Sequence, residues 1–360
     1  MIPASIAEVT TTWLSEALKG DVRDMEIQQI GQGIGLMGDI YRVALQGDGV
    51  PQSVVVKLPS SFEENRAQGV ALGMFDAEIR FYAELAPAAS VGLPEIYYTE
   101  IESGTADFVI VMQDLSGMTM VDQTKGMSVD QAMAAVKVLA QIHAVWWNDV
   151  QNDSMSWIPD MISERIAFVD EMLQQILPVF TGAFAEYLPE GGLEIYERFS
   201  GNYLNINKKL AGRSPWTLVH QDYRVENMLF GPEGSGDVVV IDWQGIGLGP
   251  GSYDLAYILG GSLETNVRRE HEGKLLKAYH DSLLSAGVSG YSMDQLNQDY
   301  ALSHLQGGLA TAMVTGGSMD LSNERGVQLV ATMARRHAQA ALDHDGLEEL
   351  KTLNSELKVP

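Results

Sequence analysis

Hydrophobic and polar positions follow different periods in the first and later parts of the chain. Up to about residue 115, short segments rich in Val, Ile and Tyr are separated by turn residues, a pattern typical of β-strands. Five such strands are predicted, at Met25–Ile30, Ile40–Leu45, Ser53–Leu58, Glu95–Ile101 and Asp107–Met112.

One main helix is predicted in this first region, over Arg66–Ala86, because apolar residues recur there every three or four positions. Beyond it the pattern becomes mostly helical. Helices are predicted around residues 129–146, 161–186, 264–286, 293–315 and 325–342, with short strands at Thr217–His220, Asn227–Phe230 and Val238–Ile241. We therefore expect an α+β protein with two domains, residues 1–115 and the mostly helical residues 116–360.

The amino-acid composition limits the partners and the kinds of site that we expect. The 360 residues include 48 Asp and Glu against 23 Lys and Arg, a formal net charge of −25 at pH 7, and no cysteine. An acidic surface repels phosphate backbones and anionic lipid headgroups, so we expect no nucleic-acid or membrane partner. Without cysteine there is no disulfide, thiolate zinc site or thiol nucleophile. The acidity fits either a saline habitat or a site that recruits cations.

The N-terminus and the apolar runs bear on location. Met1–Pro3 is soon followed by Glu8 and lacks the basic and apolar regions of a signal peptide. No apolar run approaches the ~18–20 residues that span a bilayer. A soluble, cytoplasmic protein acting on a small molecule is expected, in an oligomeric state that the sequence does not indicate.

The most informative stretch of the chain is the run HQDYRVEN at residues 220–227. Asn227 follows Asp222 by five residues, and Asp242 comes fifteen residues later at the end of an apolar strand. Phosphoryl transfer needs one carboxylate to position an acceptor hydroxyl and take its proton, and amide and carboxylate oxygens to hold Mg²⁺ on nucleotide phosphates. Each element alone is weak, but the ordered set indicates this chemistry.

With the runs DWQ at 242–244 and DLAY at 254–257, this stretch resembles the aminoglycoside phosphotransferase and choline-kinase-like superfamily, and most closely its ecdysteroid-kinase-like branch. The resemblance covers roughly residues 25–340. It implies a two-lobed protein-kinase-like fold with a five-stranded antiparallel sheet in the small lobe. It also implies that Asp222 is the catalytic base, that Asn227 and Asp242 are metal ligands, and that Asp254 supports the catalytic loop from a helix start.

A lysine and a carboxylate in the first domain fit the same resemblance. A kinase lobe needs a lysine on its third strand, paired with a carboxylate on the next helix. Lys57 directly follows the apolar run Val54–Val56 in the third predicted strand. Glu78 lies at the border of the apolar stripe of the predicted helix. We expect Lys57, held by Glu78, to contact the α- and β-phosphates of ATP. The alternative is two ordinary surface residues.

A glycine-rich run, GQGIGLMG at 31–38, lies between the first two predicted strands. Backbone amides at Gly31, Gly33 and Gly35 are candidates to approach phosphate oxygens. The run does not match the Walker pattern, and a glycine turn without any ligand is equally compatible with it.

The segment around residues 112–115 falls where the interlobe hinge of the family belongs. The resemblance implies that Met112 lines the adenine pocket and that the backbone of Gln113 and Leu115 hydrogen-bonds the adenine ring. The alternative is a strand that runs into a plain linker.

Two features favour a small acceptor over a protein substrate. Regulated protein kinases carry Arg before the catalytic Asp to read an activation-loop phosphate, whereas this chain has Gln221 there. Moreover, only 254 − 242 = 12 positions separate Asp242 from Asp254, too few for an activation loop and a peptide platform.

Several other residues leave alternatives open. Arg224 stands where a kinase has a cationic γ-phosphate contact, and it is equally placed to tie down the loop through Glu226 or a helix-borne Asp. We interpret His220 and His143 as structural. The methionines and four tryptophans are compatible with two roles, in an acceptor site or in a hydrophobic core. The tryptophans are Trp146, Trp147, Trp157 and Trp243.

Together these patterns predict an ATP- and Mg²⁺-dependent phosphotransferase. It moves the γ-phosphate to a hydroxyl of an aminoglycoside-, choline- or steroid-like small molecule. One alternative is a catalytically silent nucleotide- or metabolite-binding protein on the same fold. Another is a metal-dependent hydrolase that uses Asp222 and Asp242 as paired carboxylates, but this leaves Lys57 and Glu78 without a role.

Overall fold

The computed structural model of the chain describes residues 2–31, 38–213 and 215–356. The chain forms two compact units. The first comprises Met1–Thr119 and Val239–Gly245, and the second comprises Met120–Val238 and Ile246–Pro360.

The first unit is built on a five-stranded sheet in which every neighbouring pair is antiparallel. Its strands are β1 (Asp21–Ile30), β2 (Gly38–Asp48), β3 (Ser53–Pro59), β4 (Ile96–Ile101) and β5 (Phe108–Gln113), in the order β1-β2-β3-β5-β4. The sheet confirms the predicted fold class, α+β with a five-stranded antiparallel sheet.

One face of this sheet is apolar and covered. Val43, Val54, Val56 and Val111 are fully buried there, together with Leu14 of helix α1 (Thr11–Leu18). Because side chains alternate between the two faces of a strand, Lys57 points away from Val56, to the opposite side of the sheet. The sequence pattern did not predict α1.

The single helix predicted over Arg66–Ala86 is wrong in detail. The structure contains α2 (Glu63–Ala71), α3 (Met74–Arg80) and then a π-helical turn, Phe81–Leu85. Gly73 has a left-handed backbone with φ of +65°, and a helix cannot continue through that conformation. The break lets α3 take its own direction, with Phe75 stacked on Phe108 at 4.7 Å between ring centroids.

Residues Val239–Gly245 belong to the first unit although they lie far along the chain from its sheet. The N–H of Val240 donates to the carbonyl oxygen of Gly92 at 2.8 Å. The indole of Trp243 stacks on Phe81 with ring centroids 4.0 Å apart and planes 8° apart. These contacts hold Asp242, which lies between them in sequence, in the unit that also contains Lys57.

The second unit is mostly helical. Its helices are α4 (Val129–Val145), α5 (Glu164–Phe184), α6 (Gly192–Phe199), α7 (Tyr203–Ala211), α8 (Ser252–Ser262), α9 (Thr265–Ser285), α10 (Met293–Ser303), α11 (Gly307–Ser318), α12 (Glu324–Asp343) and α13 (Gly346–Glu356). The remaining strands of the chain are β6 (Thr119–Met120), β7 (Trp216–Val219), β8 (Met228–Phe230), β9 (Val238–Val240) and β10 (Gly247–Pro250), and β7 pairs antiparallel with β10.

The core of the second unit lies between α5, α6, α11 and α12, where Phe180, Tyr196, Leu309 and Ala334 are fully buried. Helix α8 is buried along its whole length. Among the helices in the described ranges, none is both long and apolar enough to cross a bilayer.

The helix predicted over 293–315 is divided into α10 and α11. Gln306, just before α11, has φ of −124° and ψ of −129°, far from helical values. The glycines that follow allow close packing, because a Cβ on Gly308 would lie 2.2 Å from the ring of His337. Side-chain periodicity carries no signal for such a break.

Replacing Gly308 with alanine tests this close packing. We expect Gly308→Ala to lower the free energy of unfolding by about 1–3 kcal/mol, because His337 is buried and has little room to move. The matched control is Gly182→Ala in α5, where a Cβ meets nothing within 4 Å. That change is expected to be neutral or to stabilise by up to about 1 kcal/mol. Urea unfolding measures the stability of both variants. Equal changes in the free energy of unfolding would contradict the close packing of Gly308 against His337.

Candidate active site

The first unit brings together the lysine and the carboxylate that the sequence paired. The Nζ of Lys57 lies 2.9 and 2.7 Å from the two carboxylate oxygens of Glu78. Lys57 is 7% exposed and Glu78 is 2% exposed, so both charges are buried. Strand β3 and helix α3 thus carry one buried ion pair, not two surface residues.

Asp242 joins this pair from the segment Val239–Gly245. Its Oδ1 lies 3.4 Å from Lys57 Nζ, and its Oδ2 accepts a hydrogen bond from Gln244 at 3.2 Å. Burial opposes the charge of Lys57, but Glu78 and Asp242 together raise the pKa of its ammonium group above the ordinary value. Lys57 is therefore a cation at neutral pH, faced by two carboxylates.

The other expected nucleotide contacts are partly described. Met112 and Leu115 are buried, and the N–H of Gln113 donates to the carbonyl oxygen of Glu95 at 2.8 Å. An adenine contact at Gln113 would therefore use its carbonyl oxygen. Gly31 has a left-handed φ of +69°, whereas Gly33 and Gly35 lie outside the described residues.

In the second unit, a buried carboxylate organises the loop that follows β7. Asp254, in the first turn of α8, is 0% exposed and accepts the backbone N–H of His220 at 2.6 Å and of Gln221 at 2.9 Å. Gln221 has a left-handed φ of +66°, which is unfavourable for a side chain of its type. The two hydrogen bonds hold this loop in its strained conformation.

Asp222 sits on this loop, and three side chains contact its carboxylate. Tyr257 donates its hydroxyl to Oδ1 at 2.8 Å, and Asn227 donates Nδ2 to Oδ2 at 2.8 Å. The Nε of Arg224 lies 3.3 Å from the same carboxylate. The side chain of Asp222 is still one-third exposed, so it has a fixed orientation and an open edge, as a residue that positions a substrate hydroxyl requires.

Arg224 also forms an ion pair with Glu226. Burial opposes its charge, but Asp222 and Glu226 raise the pKa of Arg224 above its ordinary value. The carboxylate of Glu226 in turn accepts the N–H of Gln123 at 3.2 Å and pairs with Arg325 at 3.4 Å. Of the two interpretations of Arg224, the contacts show the loop tie, and the γ-phosphate contact stays a prediction.

Both histidines and two of the four tryptophans that the sequence presented as structural or ambiguous are buried. His143 bridges Tyr279 at 2.8 Å and Asp254 at 3.2 Å, and the ring of His220 accepts the N–H of Asp222 at 3.2 Å. Trp146 and Trp243 are 6% and 1% exposed. Their burial supports the core interpretation for these two tryptophans.

Two contacts at the carboxylates were not assigned from the sequence, those of Tyr257 and Gln244. Tyr257 lies three residues after Asp254, and residues three apart share one face of a helix. That spacing places the tyrosine beside the loop that Asp254 holds. Gln244 lies two residues after Asp242, inside the DWQ run. Both residues therefore lie in runs that the sequence analysis had already singled out, DLAY at 254–257 and DWQ at 242–244.

Each unit offers an oxygen donor of the kind that a hard divalent cation prefers. In the second unit, Asn227 directs its amide nitrogen at Asp222, which leaves its oxygen as the available ligand. In the first unit, Asp242 is 28% exposed and offers carboxylate oxygens. Mg²⁺ prefers such oxygen ligands, so each of the two residues by itself has the chemistry of a Mg²⁺ ligand.

Comparison with known proteins identifies the family. The sequence model of the ecdysteroid kinase-like family matches residues 32–287. The chain belongs to the ecdysteroid kinase-like family. Among curated relatives, two proteins of Caenorhabditis elegans are similar to this member of the family. "Uncharacterized oxidoreductase dhs-27" is 22% identical over 80% of this chain, and "Uncharacterized kinase-like protein D1044.1" is 23% identical over 62% of it. The matches span 39% and 60% of the length of these relatives.

Solved structures of two small-molecule-binding proteins share the fold of this ecdysteroid kinase-like protein. A gentamicin complex of APH(2")-IIa has a TM-score of 0.52 at 17% identity and covers 95% of this chain and 99% of its own. A choline kinase from Cryptosporidium parvum has a TM-score of 0.52 at 11% identity and covers 92% and 90%. The family match and the shared fold confirm the resemblance drawn from the sequence motifs.

The role of Asp254 is testable without any assay of activity. Asn at this position keeps one acceptor oxygen and turns an NH₂ group toward a backbone N–H, so we expect Asp254→Asn to cost about 1–3 kcal/mol of stability. Amide hydrogen exchange at His220 and Gln221 should accelerate. The control is Asp320→Asn, which changes a carboxylate that accepts a backbone N–H at the exposed surface. Unchanged exchange in the Asp254 variant would show that this carboxylate does not hold the loop.

Proposed function

We propose that this protein transfers the γ-phosphate of ATP to a hydroxyl group of a small molecule, in a reaction that requires Mg²⁺. The observation that carries the proposal is the buried Lys57–Glu78 ion pair with Asp242 beside it. A buried ion pair is weak evidence for stability, because apolar residues of similar volume often serve as well. A functional role is the simplest account of this one, since a cation fixed by a helix carboxylate suits nucleotide phosphates.

The first unit supplies the nucleotide-binding groups. Lys57, held by both oxygens of Glu78, neutralises charge on the α- and β-phosphates. Asp242 offers carboxylate oxygens to the metal. Two carboxylates against one ammonium leave a net charge of −1, which favours the arrival of a divalent cation.

The second unit supplies the group that acts on the acceptor. The carboxylate of Asp222 orients the acceptor hydroxyl and receives its proton as the oxygen bonds to the γ-phosphorus. The bond from that phosphorus to the β,γ-bridging oxygen of ATP breaks, and ADP leaves. Tyr257 and Asn227 fix the orientation of that carboxylate. The oxygen of Asn227 is the second protein ligand proposed for the metal. Mg²⁺ when bound neutralises charge on the phosphate oxygens during transfer.

The acceptor is proposed to be a hydroxylated small molecule. The printed names of the family and of its structural neighbours refer to ecdysteroids, to gentamicin and to choline, which gives three classes to screen. The net charge of −25 supports a small-molecule acceptor over a nucleic acid, and it suits the cationic classes in particular.

A screen with γ-labelled ATP tests the function directly. The protein is incubated with Mg²⁺, labelled ATP and panels of steroid alcohols, aminoglycosides and amino alcohols. Label on an acceptor, lost on chelation of the metal, is the expected result. Nucleotide binding without transfer to any panel member would favour the catalytically silent alternative. Turnover of an acceptor ester without nucleotide would favour the hydrolase.

A substitution at Asp222 separates the effect on catalysis from the effect on ATP binding. We expect Asp222→Asn to lower kcat by roughly 10²–10⁴ while the affinity for ATP changes little, because the variant keeps the shape of the residue but loses the proton acceptor. Single-turnover transfer and ATP titration measure the two effects. Asp237→Asn, at an exposed position, is the control. Near-normal kcat in the Asp222 variant would remove this residue from the reaction.

A substitution at Asp242 tests whether this residue is a Mg²⁺ ligand. We expect Asp242→Asn to abolish the part of the ATP affinity that depends on Mg²⁺, because an amide replaces the charged ligand. Titrations with and without chelator measure this part. Asp48→Asn, in an exposed pair with Arg23, is the matched control in the same unit. Wild-type, Mg²⁺-dependent ATP affinity in the Asp242 variant would refute the assignment.

A further inference from the structure

Three side chains with metal-ligating atoms meet in the second unit, and none of them belongs to the proposed phosphotransfer machinery. Glu272 lies on α9, His304 follows the last residue of α10, and His344 follows the last residue of α12. One ligand atom from each of the three residues lies within 4.8 Å of the others. The ends of two helices therefore converge on a carboxylate of a third.

His304 is the most unusual member of this cluster. It is 2% exposed, and neither ring nitrogen has a hydrogen-bond partner among the described residues. Its ring stacks on that of His344, with centroids 4.8 Å apart and planes 18° apart. A buried polar group without a hydrogen-bond partner lowers the stability of the folded protein. A ligand that bound to this imidazole would remove that cost.

Glu272 is held in a fixed orientation. Its Oε1 accepts hydrogen bonds from Arg268 at 2.8 Å and from Tyr300 at 2.7 Å, and its Oε2 lies 3.1 Å from Nε2 of His344. Oε2 is thus the oxygen directed at His344. Hydrogen bonds from outside partners to a ligating carboxylate are the usual support of a metal site.

We propose that Glu272, His304 and His344 bind a divalent transition-metal ion, for which Zn²⁺ is the probe. Two imidazoles and one carboxylate form a ligand set that zinc uses in proteins, and Mg²⁺ disfavours imidazole. With bonds of about 2.1 Å, tetrahedral zinc needs ligand atoms about 3.4 Å apart. The Nε2 of His344 and the Oε2 of Glu272 are 3.1 Å apart, a hydrogen-bond distance close to this value, and a ligand atom of His304 lies within 4.8 Å of a ligand atom of each.

An entry path for the ion exists on the side of His344. Its side chain is 21% exposed, and it lines a surface cavity of about 360 Å³ together with Leu305 and Gly346. A bound ion would join the C-terminal ends of α10 and α12 to α9. Because it binds the folded state, it would stabilise the protein by mass action.

The test uses the full chain without a histidine tag, after treatment with chelator. Zn²⁺ titration by calorimetry and thermal unfolding with and without Zn²⁺ are measured, and Co²⁺ absorption reports the coordination. We expect one site in the wild type, a higher midpoint temperature with Zn²⁺, and reversal by chelator. His344→Gln and Glu272→Gln should each weaken binding by about tenfold or more. His271→Gln, on the same helix next to Glu272, is the matched control and should keep full affinity.

Two results would overturn the proposal: no Zn²⁺ binding by the folded wild type at micromolar concentration, or unchanged binding in both ligand variants. His304→Gln alters a buried position that the fold itself depends on, so the two partly exposed ligands decide the outcome, with circular dichroism as the check on folding. Both measurements are independent of ATP and of any acceptor. Failure of the zinc site therefore leaves the proposed phosphotransfer untouched, and the reverse also holds.

Discussion

The buried ammonium group of Lys57, between the carboxylates of Glu78 and Asp242, is the interaction on which the candidate nucleotide site depends. Removing charges from water costs several kcal/mol per ion, and only close pairing offsets that cost. Glu78 provides this pairing with both oxygens. Asp242 adds a second carboxylate at a longer distance and with more exposure. The group is therefore stable without ligand, yet its excess negative charge prepares it for a cation.

A second buried carboxylate has a comparable role in the other unit. Asp254 accepts two successive backbone N–H groups and so holds Gln221 at positive φ. Asp242 is also a non-glycine residue at positive φ, +68°. Such conformations cost about 1–3 kcal/mol and persist only where the surroundings enforce them. These two, among five non-glycine residues with positive φ in the described part of the chain, lie at or next to a carboxylate proposed to act in the reaction.

Much of this could be predicted from local patterns. The five strands of the first unit were found because β-branched residues recur at strand spacing, and α4, α5, α9 and α12 because their apolar positions follow a helical period. Boundaries were less predictable. The break at Gly73 depends on one left-handed residue, and the division between α10 and α11 falls at Gln306, whose backbone angles are far from helical. Short helices such as α1 and α6 carry too few residues for a clear period.

The sequence by itself determined the fold class and the chemical inventory: a lysine on the third strand, and an Asp, an Asn and a second Asp in fixed order. Local spacing suffices for these, because strand alternation and helix periodicity act within a few residues. Only the tertiary structure decided which groups meet. Lys57 and Asp242 are 185 positions apart, and Tyr257 reaches Asp222 across 35 positions. No local pattern encodes such contacts, because they depend on how the core packs distant segments together.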